Sequence, residues 1–326
     1  MSRQMRLPAT MRAAAIDRPG GPAVLKLHVL PLPELDPGEV LIAVHTAGVG
    51  SWDADLRGGW FPGGRPRFPL VLGTDGAGTV AAVGSRVRRF AVGQRVISYH
   101  WDNMFGKGGF YAEYVAVPAE NVAPVPRPLD LTHAGAVPAT GLTALQGVDD
   151  ALHLKRGETV IVHGASGAVG TLAVLFAKRR GARVFASASG DDGAALMRRL
   201  GADASVNSRR ADLAEALRRF APAGADALLA FAGGRALTRC IDALRRDGRI
   251  AYPHGIEPAP RKRRGIAVTA YDAAVGMREF ERFNRAVTAA RLQVPIGGRF
   301  PLARAADAHR RLAGHVLGRI VLRIRP

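Results

Sequence analysis

The chain is short of cysteine, lysine and long apolar runs. Its one cysteine among 326 residues, Cys240, excludes an intrachain disulfide and a cysteine-rich zinc site, and we interpret it as a buried structural thiol. No apolar run reaches the roughly 18 residues that a membrane-spanning helix requires. The N-terminal segment carries positive charge without an apolar core, unlike a secretory signal. Together these absences predict a cytoplasmic protein with no membrane partner.

Aromatic residues make up only 6% of the chain, although its formal net charge is +19. Such a charge is compatible with nucleic-acid binding, but a persuasive case would need aromatic rings interleaved with a basic face. The 46 basic residues include only five lysines and are dispersed along the whole length. We therefore expect no specific nucleic-acid partner, and we interpret the dense run RKRR at 261–264 as a solvated loop.

The segment ETVIVHGASGAVG, residues 158–170, is typical of a strand, a tight turn and the start of a helix. It follows the dinucleotide-binding pattern G-x-G-x-x-G with Ala165 in place of the first glycine. Gly167 lets backbone approach a pyrophosphate, Gly170 lets the helix pack on the strand, and the helix N-terminus offers unpaired N–H groups to an anion. Alone, such a loop is weak evidence, because a tight turn in another α/β protein can have the same pattern.

The residues after this loop repeat the alternation of strand and helix. Strands are predicted at 183–188, 204–207, 226–231 and 249–252, and helices at 193–200, 212–220 and 236–244. This alternation predicts a doubly wound parallel sheet. Between residues 11 and 125, by contrast, short β-rich runs are separated by Pro and Gly turns, which is typical of a barrel-like antiparallel domain.

Several motifs in combination resemble the medium-chain dehydrogenase/reductase superfamily and its zinc-free quinone oxidoreductase branch. They are MRAAAIDRPGGPAVLKL, GTDGAGTVAAVGSRVRRFAVGQRV, GGFYAEYVAVP, AGAVPATGLTALQG, the glycine loop and AHRRLAGHVLGRIVLRI. The resemblance implies an α/β protein with a GroES-like β-barrel-type catalytic domain and a Rossmann domain. We place the first part of the catalytic domain at 1–130, the Rossmann domain at 131–265 and the segment completing the catalytic domain at 266–326. The proline-rich stretch 121–131 is the expected crossing.

The resemblance also bears on metal binding. Zinc-dependent relatives have a Cys where this chain has Gly50, and Gly-His-Glu where it has Gly73, Thr74 and Asp75. A catalytic Zn²⁺ normally needs three protein ligands of the His, Cys or carboxylate type, so no metal is expected. Without a Lewis acid, the natural chemistry is delivery of a hydride to an acceptor that is already electrophilic, a quinone or an α,β-unsaturated carbonyl.

Trp52 and Tyr99 are the candidate catalytic residues. Trp52 matches a cleft-lining position of relatives and could shape the pocket for substrate or nicotinamide, or only pack. Tyr99 could donate a hydrogen bond to the acceptor carbonyl or a proton to the reduced product, unless solvent supplies that proton. Asp53 is interpreted as a structural cap at a helix start. Loops near 51–66 and 99–110 are expected to set substrate shape.

The predicted cofactor is NADPH. About 20 residues beyond the glycine loop, where a carboxylate would bind the ribose of NAD, the chain has the neutral Ser187 and Ser189. Arg209 could pair with a 2′-phosphate. The other cofactor-binding positions that the resemblance implies are Thr140, Ser166, Gly167, Ala168, Val169, Phe231, Ala232, Gly233, Pro253, His254, Gly255, Gly318 and Arg319.

Four residues depart from the pattern of relatives that use NADPH. Gly193 and Ser208 stand where those relatives often have Lys and Tyr, and Asp191 and Asp192 would repel a phosphate. A preference for NADPH therefore depends on positive charge from the neighbouring arginines.

Two alternatives to a quinone or enone reductase stay open. One is a zinc-free alcohol or ketone oxidoreductase, distinguishable by whether reduction removes a C=C or a C=O bond. The other is a non-catalytic protein of the same fold that senses nucleotides or binds nucleic acid. Relatives are commonly dimers, and the strand predicted at 266–273 could pair across a two-fold axis, so a homodimer is expected.

Overall fold

The computed structural model describes residues 7–62, 64–101, 108–290, 292 and 294–325. The chain forms two compact units, the first built from Met1–Ala139, Val275–Thr288 and Ile296–Pro326, and the second from Thr140–Ala274 and Ala289–Pro295. The chain leaves the first unit later than the proline-rich stretch suggested, because residues 122–124 of that stretch still pair as a strand there.

The strands are β1 Thr10–Ile16, β2 Lys26–Pro31, β3 Glu39–Val49, β4 Leu70–Val71, β5 Asp75–Val83, β6 Arg95–Tyr99, β7 Tyr114–Pro118, β8 Val122–Pro124, β9 Thr159–His163, β10 Arg183–Ala188, β11 Ala204–Asn207, β12 Ala225–Ala230, β13 Leu244–Pro253, β14 Ala267–Tyr271, β15 Ile296–Pro301 and β16 Arg319–Arg323. The helices are α1 Ser51–Gly58, α2 Leu131–Ala134, α3 Pro138–Gln146, α4 Ala168–Arg179, α5 Asp191–Arg199, α6 Leu213–Phe220, α7 Arg235–Asp242, α8 Met277–Ala290 and α9 Ala305–Leu312. In the part of the chain covered by the structure, none of these helices combines the length and apolarity needed to cross a bilayer.

The first unit contains two sheets, with strand orders β2-β1-β4 and β15-β16-β3-β5-β6-β8, and β7 also pairs with β3. Strand β3 lies at the centre, antiparallel to β5, β7 and β16. Its run EVLIAVHTAGV is almost wholly buried, as strands covered on both faces require. Because β16 near the chain end pairs with β3, the C-terminal segment completes the unit that the N-terminal segment begins. This is the predicted GroES-like β-barrel-type unit.

The second unit is a six-stranded parallel sheet in the order β11-β10-β9-β12-β13-β14. The strand order reverses at β9, which confirms the predicted doubly wound Rossmann sheet. Strands β10 and β11 have the predicted bounds, and Asp212 caps α6 by accepting a hydrogen bond from the Glu215 N–H at 3.1 Å. Cys240 is fully buried in the apolar core of this unit, and burial raises the pKa of its thiol to about 12. Strand β14 is at the edge of the sheet and largely exposed.

Gly78 shows how closely the strands of the first unit approach one another. A Cβ at this position would lie 2.1 Å from the carbonyl oxygen of Ala43 and 2.9 Å from Cγ2 of Ile42. We expect Gly78→Ala to lower the free energy of unfolding by at least about 2 kcal/mol, because overpacking displaces β3 or β5. Urea denaturation measures this loss. Gly58→Ala is the matched control, since nothing lies within 4 Å of a Cβ there, and equal midpoints for the two variants would contradict the prediction.

Candidate active site

The glycine loop leaves β9 through Gly164, whose φ of +75° favours glycine. The sequence predicted a tight turn between the strand and the helix, and the structure makes it at Gly164, one residue before the first position of the G-x-G-x-x-G pattern. A Cβ on Gly170 would lie 2.4 Å from the Gly164 carbonyl oxygen, so α4 packs against the turn only with glycine at that position. The physical requirements that the pattern encodes are therefore met by Gly164, Gly167 and Gly170.

Gly167 is different, because packing within the protein does not require its missing side chain. A Cβ there would meet only the Gly164 carbonyl oxygen, at the ordinary contact distance of 3.5 Å. Gly167, Ala168 and Val169 are only partly buried and form the N-terminal cap and first residues of α4. Open space in front of exposed helix N–H groups fits a pyrophosphate, so these residues could hold a dinucleotide.

The hydroxyl groups at the end of β10 have different surroundings. Ser187 is 1% exposed, and its Oγ is 3.0 Å from Nδ1 of His163, so its hydroxyl is engaged inside the sheet. Ser189 is only half-buried, and its Oγ is 3.4 Å from Oγ of the buried Ser166. Of the two predicted ribose-binding serines, Ser189 is therefore the one within reach of a ligand.

Charges surround this end of the site. Asp191 accepts a hydrogen bond from Nδ2 of Asn207 at 2.8 Å and pairs with Nη1 of Arg210 at 3.2 Å. Among the residues that the structure describes, the exposed guanidinium of Arg209 has no ion-pair partner. The glycine at position 193 has a steric explanation, because a Cβ there would lie 3.0 Å from Cβ of Ser166. A larger residue would push α5 away from the glycine loop.

Most of the other predicted cofactor positions follow strands of the same sheet. Phe231 follows β12 and donates its N–H to the His163 carbonyl at 2.9 Å. His254, at the end of β13, donates its N–H to the Tyr271 carbonyl at 3.2 Å. Because all six strands are parallel, their carboxyl ends lie at one edge, where doubly wound sheets bind ligands. The residues gathered there are Ser166, Gly167, Ala168, Val169, Ser187, Ser189, Arg209, Phe231, Ala232, Gly233, Pro253, His254 and Gly255.

The other three predicted cofactor positions do not follow strands of this parallel sheet. Thr140 is buried in α3 at the start of the second unit. Gly318 and Arg319 belong to the first unit, and Arg319 begins β16 with its side chain only 8% exposed. Its Nη2 donates to Oδ1 of Asp75 at 2.7 Å. Arg319 is thus half of a buried ion pair.

This ion pair fills space that two glycines leave free. A Cβ on Gly48 would lie 2.5 Å from Nη2 of Arg319, and one on Gly50 would lie 3.1 Å from its Nη1. The other oxygen of Asp75 accepts the Ala139 N–H at 3.0 Å. Burial raises the pKa of Asp75, and the charge of Arg319 opposes that shift. A guanidinium therefore occupies the space in front of Gly50.

Asp53 is a second carboxylate buried in the same unit. Its Oδ2 accepts the Gly50 N–H at 2.9 Å, which agrees with the predicted cap, and its Oδ1 accepts the Gly73 N–H at 3.1 Å. Burial raises the pKa of Asp53 to about 6, although the charge of Arg319 and the two N–H groups favour the ionised form. The charge of the buried Arg319 guanidinium thus acts on both carboxylates, although only Asp75 forms an ion pair with it.

The two predicted catalytic residues lie on different elements of the first unit. Trp52, in the first turn of α1, packs edge to face with Trp60 at a ring-centroid distance of 4.6 Å. Its Nε1 is buried, with no hydrogen-bond partner in the described part of the chain. Tyr99 ends β6 directly opposite Asp75. Of the predicted substrate loops, residues 63 and 102–107 lie outside the described residues.

Sequence reasoning missed the roles of several buried polar residues. Asp75 and Arg319 pair across most of the length of the chain, and Tyr111 contacts His309. The only sequence signal was the presence of Asp75 within the small, apolar stretch LGTDGAG. Such a signal marks a buried charge but does not identify its partner.

Known proteins share both units. Family models match at residues 36–127, for the alcohol dehydrogenase GroES-like domain, and at residues 168–258, for zinc-binding dehydrogenase. A quinone oxidoreductase from Lama guanicoe is 31% identical over 330 residues, which cover 96% of this chain and 97% of that protein. A solved NAD-dependent alcohol dehydrogenase has a TM-score of 0.88 at 34% identity, covering 97% of this chain and 100% of the other. A mycobacterial protein solved with NADPH has a TM-score of 0.83 at 29% identity, covering 96% and 100%.

A Rossmann sheet with an open glycine loop, together with a GroES-like unit, defines an oxidoreductase that uses a nicotinamide cofactor. The chain belongs to the medium-chain dehydrogenase/reductase superfamily, in its quinone oxidoreductase branch. The resemblance identified from the sequence motifs is therefore confirmed.

The residues of this chain do not fit the zinc for which the second family model is described. Within the described ranges, no group of three His, Cys, Asp or Glu side chains could hold a metal ion. At Gly50 there is no side chain to coordinate, and the guanidinium of Arg319 is 3.1 Å from where its Cβ would be. A fixed positive charge in that space disfavours a second cation by Coulomb repulsion.

The raised pKa of Asp53 predicts a stability difference that changes with pH. An unfolded Asp releases its proton near pH 4, whereas folded Asp53 keeps it up to a pKa of about 6. The contribution of Asp53 to stability is therefore fully present below about pH 4 and is lost as the pH rises to about 6. Relative to Asp53→Asn, the wild type should lose about 2 kcal/mol of unfolding free energy between pH 4 and pH 7. Urea denaturation of both proteins at each pH measures this, and a constant difference would contradict it.

Proposed function

We propose that the protein is a zinc-independent, NADPH-dependent reductase that transfers a hydride to a quinone or an α,β-unsaturated carbonyl. The observation that carries the proposal is the charge pattern at the carboxyl edge of the parallel sheet. There the Oγ of the half-buried Ser189 lies 3.4 Å from Oγ of Ser166 in the glycine loop, and the exposed Arg209, which has no ion-pair partner among the described residues, follows the neighbouring strand β11. A neutral hydroxyl with an available guanidinium suits a 2′-phosphate, whereas a carboxylate at the end of β10 would suit NAD.

Asp191 is the residue that argues most strongly against NADPH, and the structure weakens its effect. Its carboxylate oxygens already accept from Asn207 and pair with Arg210, so much of its negative charge is compensated. Arg209 remains available for a phosphate. The mycobacterial relative solved with NADPH supports the same cofactor.

We infer the class of acceptor from the groups of the first unit that could polarise a carbonyl. Its buried cation is Arg319, which is already paired with Asp75, so it provides no open Lewis-acid position comparable to a metal ion. An acceptor that is electrophilic by conjugation needs less polarisation than a simple ketone. When bound, the reduced nicotinamide supplies a hydride, and one proton from solvent or a side chain completes reduction of a quinone to a quinol or of an enone to a saturated carbonyl.

Fluorescence titration with each nucleotide in the presence of EDTA, followed by acceptor assays, tests the proposal. We expect tighter binding of NADPH than of NADH. NADPH should be consumed with 1,4-naphthoquinone or a cyclic enone, the enone should lose its C=C bond, and a simple ketone should not react. Reduction of the ketone C=O would favour the zinc-free alcohol or ketone oxidoreductase, and loss of activity with EDTA would overturn zinc independence. Binding of neither nucleotide would favour the non-catalytic alternative.

Arg209→Ala tests the phosphate contact directly. A charge-assisted hydrogen bond contributes about 1.5–3 kcal/mol, so the Kd for NADPH should rise by at least about tenfold while that for NADH stays unchanged. Arg218→Ala is the matched control, because Arg218 is an exposed α6 arginine that pairs with Glu215. Equal losses of both nucleotides in Arg209→Ala would remove the assignment.

A further inference from the structure

A largely buried chain of hydrogen bonds in the first unit, which begins at the partly buried Arg57, has no part in the nucleotide site. Nη1 of Arg57 lies 2.7 Å from Nδ1 of His309, and Nε2 of His309 lies 3.1 Å from the hydroxyl of Tyr111. The Tyr111 hydroxyl in turn bonds the carboxyl group of Asp53. Arg57 and Asp53 lie one helical turn apart on α1, and His309 comes from α9. The chain therefore links residues that are far apart in sequence.

The hydrogen bonds of this chain run in one direction. A guanidinium has only donors, so Arg57 donates and Nδ1 of His309 accepts. Burial and the charge of Arg57 lower the pKa of His309 to about 3, which keeps the ring neutral with its proton on Nε2. Nε2 then donates to the Tyr111 oxygen, and the Tyr111 hydroxyl is left to donate to Asp53. The tautomer of His309 thus orients the Tyr111 proton toward the carboxylate.

Asp53 accepts at the end of this chain and joins two backbone segments. Besides Tyr111, its oxygens accept the N–H groups of Gly50 and Gly73. Gly50 precedes α1, where Trp52 lies, and Gly73 follows β4 with a φ of +96°. A Cβ on Gly73 would lie 2.5 Å from Cδ1 of Tyr111, so this turn can carry no side chain. The carboxylate fixes the start of α1 relative to the turn after β4.

Stability does not account for a charge at this position. Asp53 has no exposed surface, and the groups that face it are Arg319, Asp75 and Tyr111. Arg319 is already bonded to Asp75, and among the residues that the structure describes Asp53 has no ion-pair partner of its own. Burying an ionised carboxylate without such a partner opposes folding. Its three converging donors would be met only by the ionised form, since a protonated carboxyl group must use one oxygen to donate.

We propose that Asp53 is a positioning residue: its ionised carboxylate, oriented through Tyr111, His309 and Arg57, holds the Gly50–Trp52 turn in the arrangement that acceptor reduction requires. This inference deepens the proposed function and rests on it for its kinetic consequence. Protonation turns one oxygen of Asp53 from a hydrogen-bond acceptor into a donor. Because three donors converge on the carboxyl group, one of their hydrogen bonds then breaks and the turn loosens. The rate of acceptor reduction then falls at acid pH, whereas the affinity for NADPH does not change with the protonation of Asp53.

Tryptophan emission tests the structural part without substrate or cofactor. In a Trp60→Phe, Trp101→Phe background, Trp52 is the only tryptophan and adjoins Asp53. Between pH 5 and 8 its emission should change with a midpoint near the Asp53 pKa of about 6. The change should vanish in Asp53→Asn and shift to higher pH in Tyr111→Phe, which loses a donor to the carboxylate. Asp55→Asn is the matched control, because Asp55 lies on α1 and burial also raises its pKa, yet it bonds neither glycine.

Steady-state kinetics of the NADPH-dependent reduction test the functional part. The wild-type kcat/KM for the acceptor should have an acid limb with the same midpoint as the emission change. Asp53→Asn should lower kcat/KM at pH 7.5 by about tenfold and lose this limb, with the Kd for NADPH unchanged. His309→Gln retains one acceptor and one donor and should keep most activity, whereas His309→Leu breaks the chain and should lose as much as Asp53→Asn.

The outcomes separate this inference from the proposed function. Turnover without an emission change, or with a change that persists in Asp53→Asn, overturns the positioning role and leaves the reductase intact. An emission change that behaves as expected in a protein that reduces neither quinones nor enones supports the positioning of the turn and overturns the reductase. Equal losses in His309→Gln and His309→Leu would show that packing, and not the hydrogen-bond chain, is what matters. If Asp53→Asn does not fold, the acid limb of the wild-type kcat/KM profile and the shift of its midpoint in Tyr111→Phe still test the positioning role.

Discussion

The ion pair between Arg319 and Asp75 is the contact on which the first unit depends. It joins β16, close to the chain end, to the start of β5, and both strands pair with β3. Two charges taken out of water are costly unless geometry and further hydrogen bonds compensate, so removing either one would leave an unpaired buried charge. The same requirement explains Gly48 and Gly50, because side chains there would collide with the guanidinium. The unit is therefore built around a fixed buried cation.

That cation also bears on the zinc for which the second family model, zinc-binding dehydrogenase, is described. Where zinc-dependent relatives have a cysteine ligand, the chain has Gly50 and the guanidinium of Arg319 in front of it. Arg319 cannot exchange ligands as a metal can, and its nearest carboxylate, Asp75, is already bonded to it. An arrangement of this kind orients side chains and balances charge, and in the proposed function the cofactor and a conjugated acceptor supply the chemistry.

The second unit depends on a different constraint, the close approach of α4 and α5 to the glycine loop. Gly164 and Gly170 are required by contacts inside the protein, whereas Gly167 leaves space that the protein itself does not fill. Gly193 lets α5 approach Ser166, where an added Cβ would lie 3.0 Å from Cβ of Ser166, so in the proposed function the charge that binds a 2′-phosphate comes from the arginines after β11.

The sequence alone determined features that depend on local periodicity. The alternation of apolar strands and amphipathic helices predicted the Rossmann sheet, with β10 and β11 at their observed bounds, and strand ends predicted which segments would meet at its carboxyl edge. It did not identify Gly164 as the residue of the turn, because a glycine pattern shows which residues are small but not which one takes a positive φ. Only the tertiary structure decided that Asp53 joins Gly50 to Gly73, that Ser187 faces His163, and that Arg319 lies against Asp75. Such contacts join residues far apart in the chain, where no spacing signal exists, and they arise only when the pairing of strands brings buried polar groups within hydrogen-bond distance.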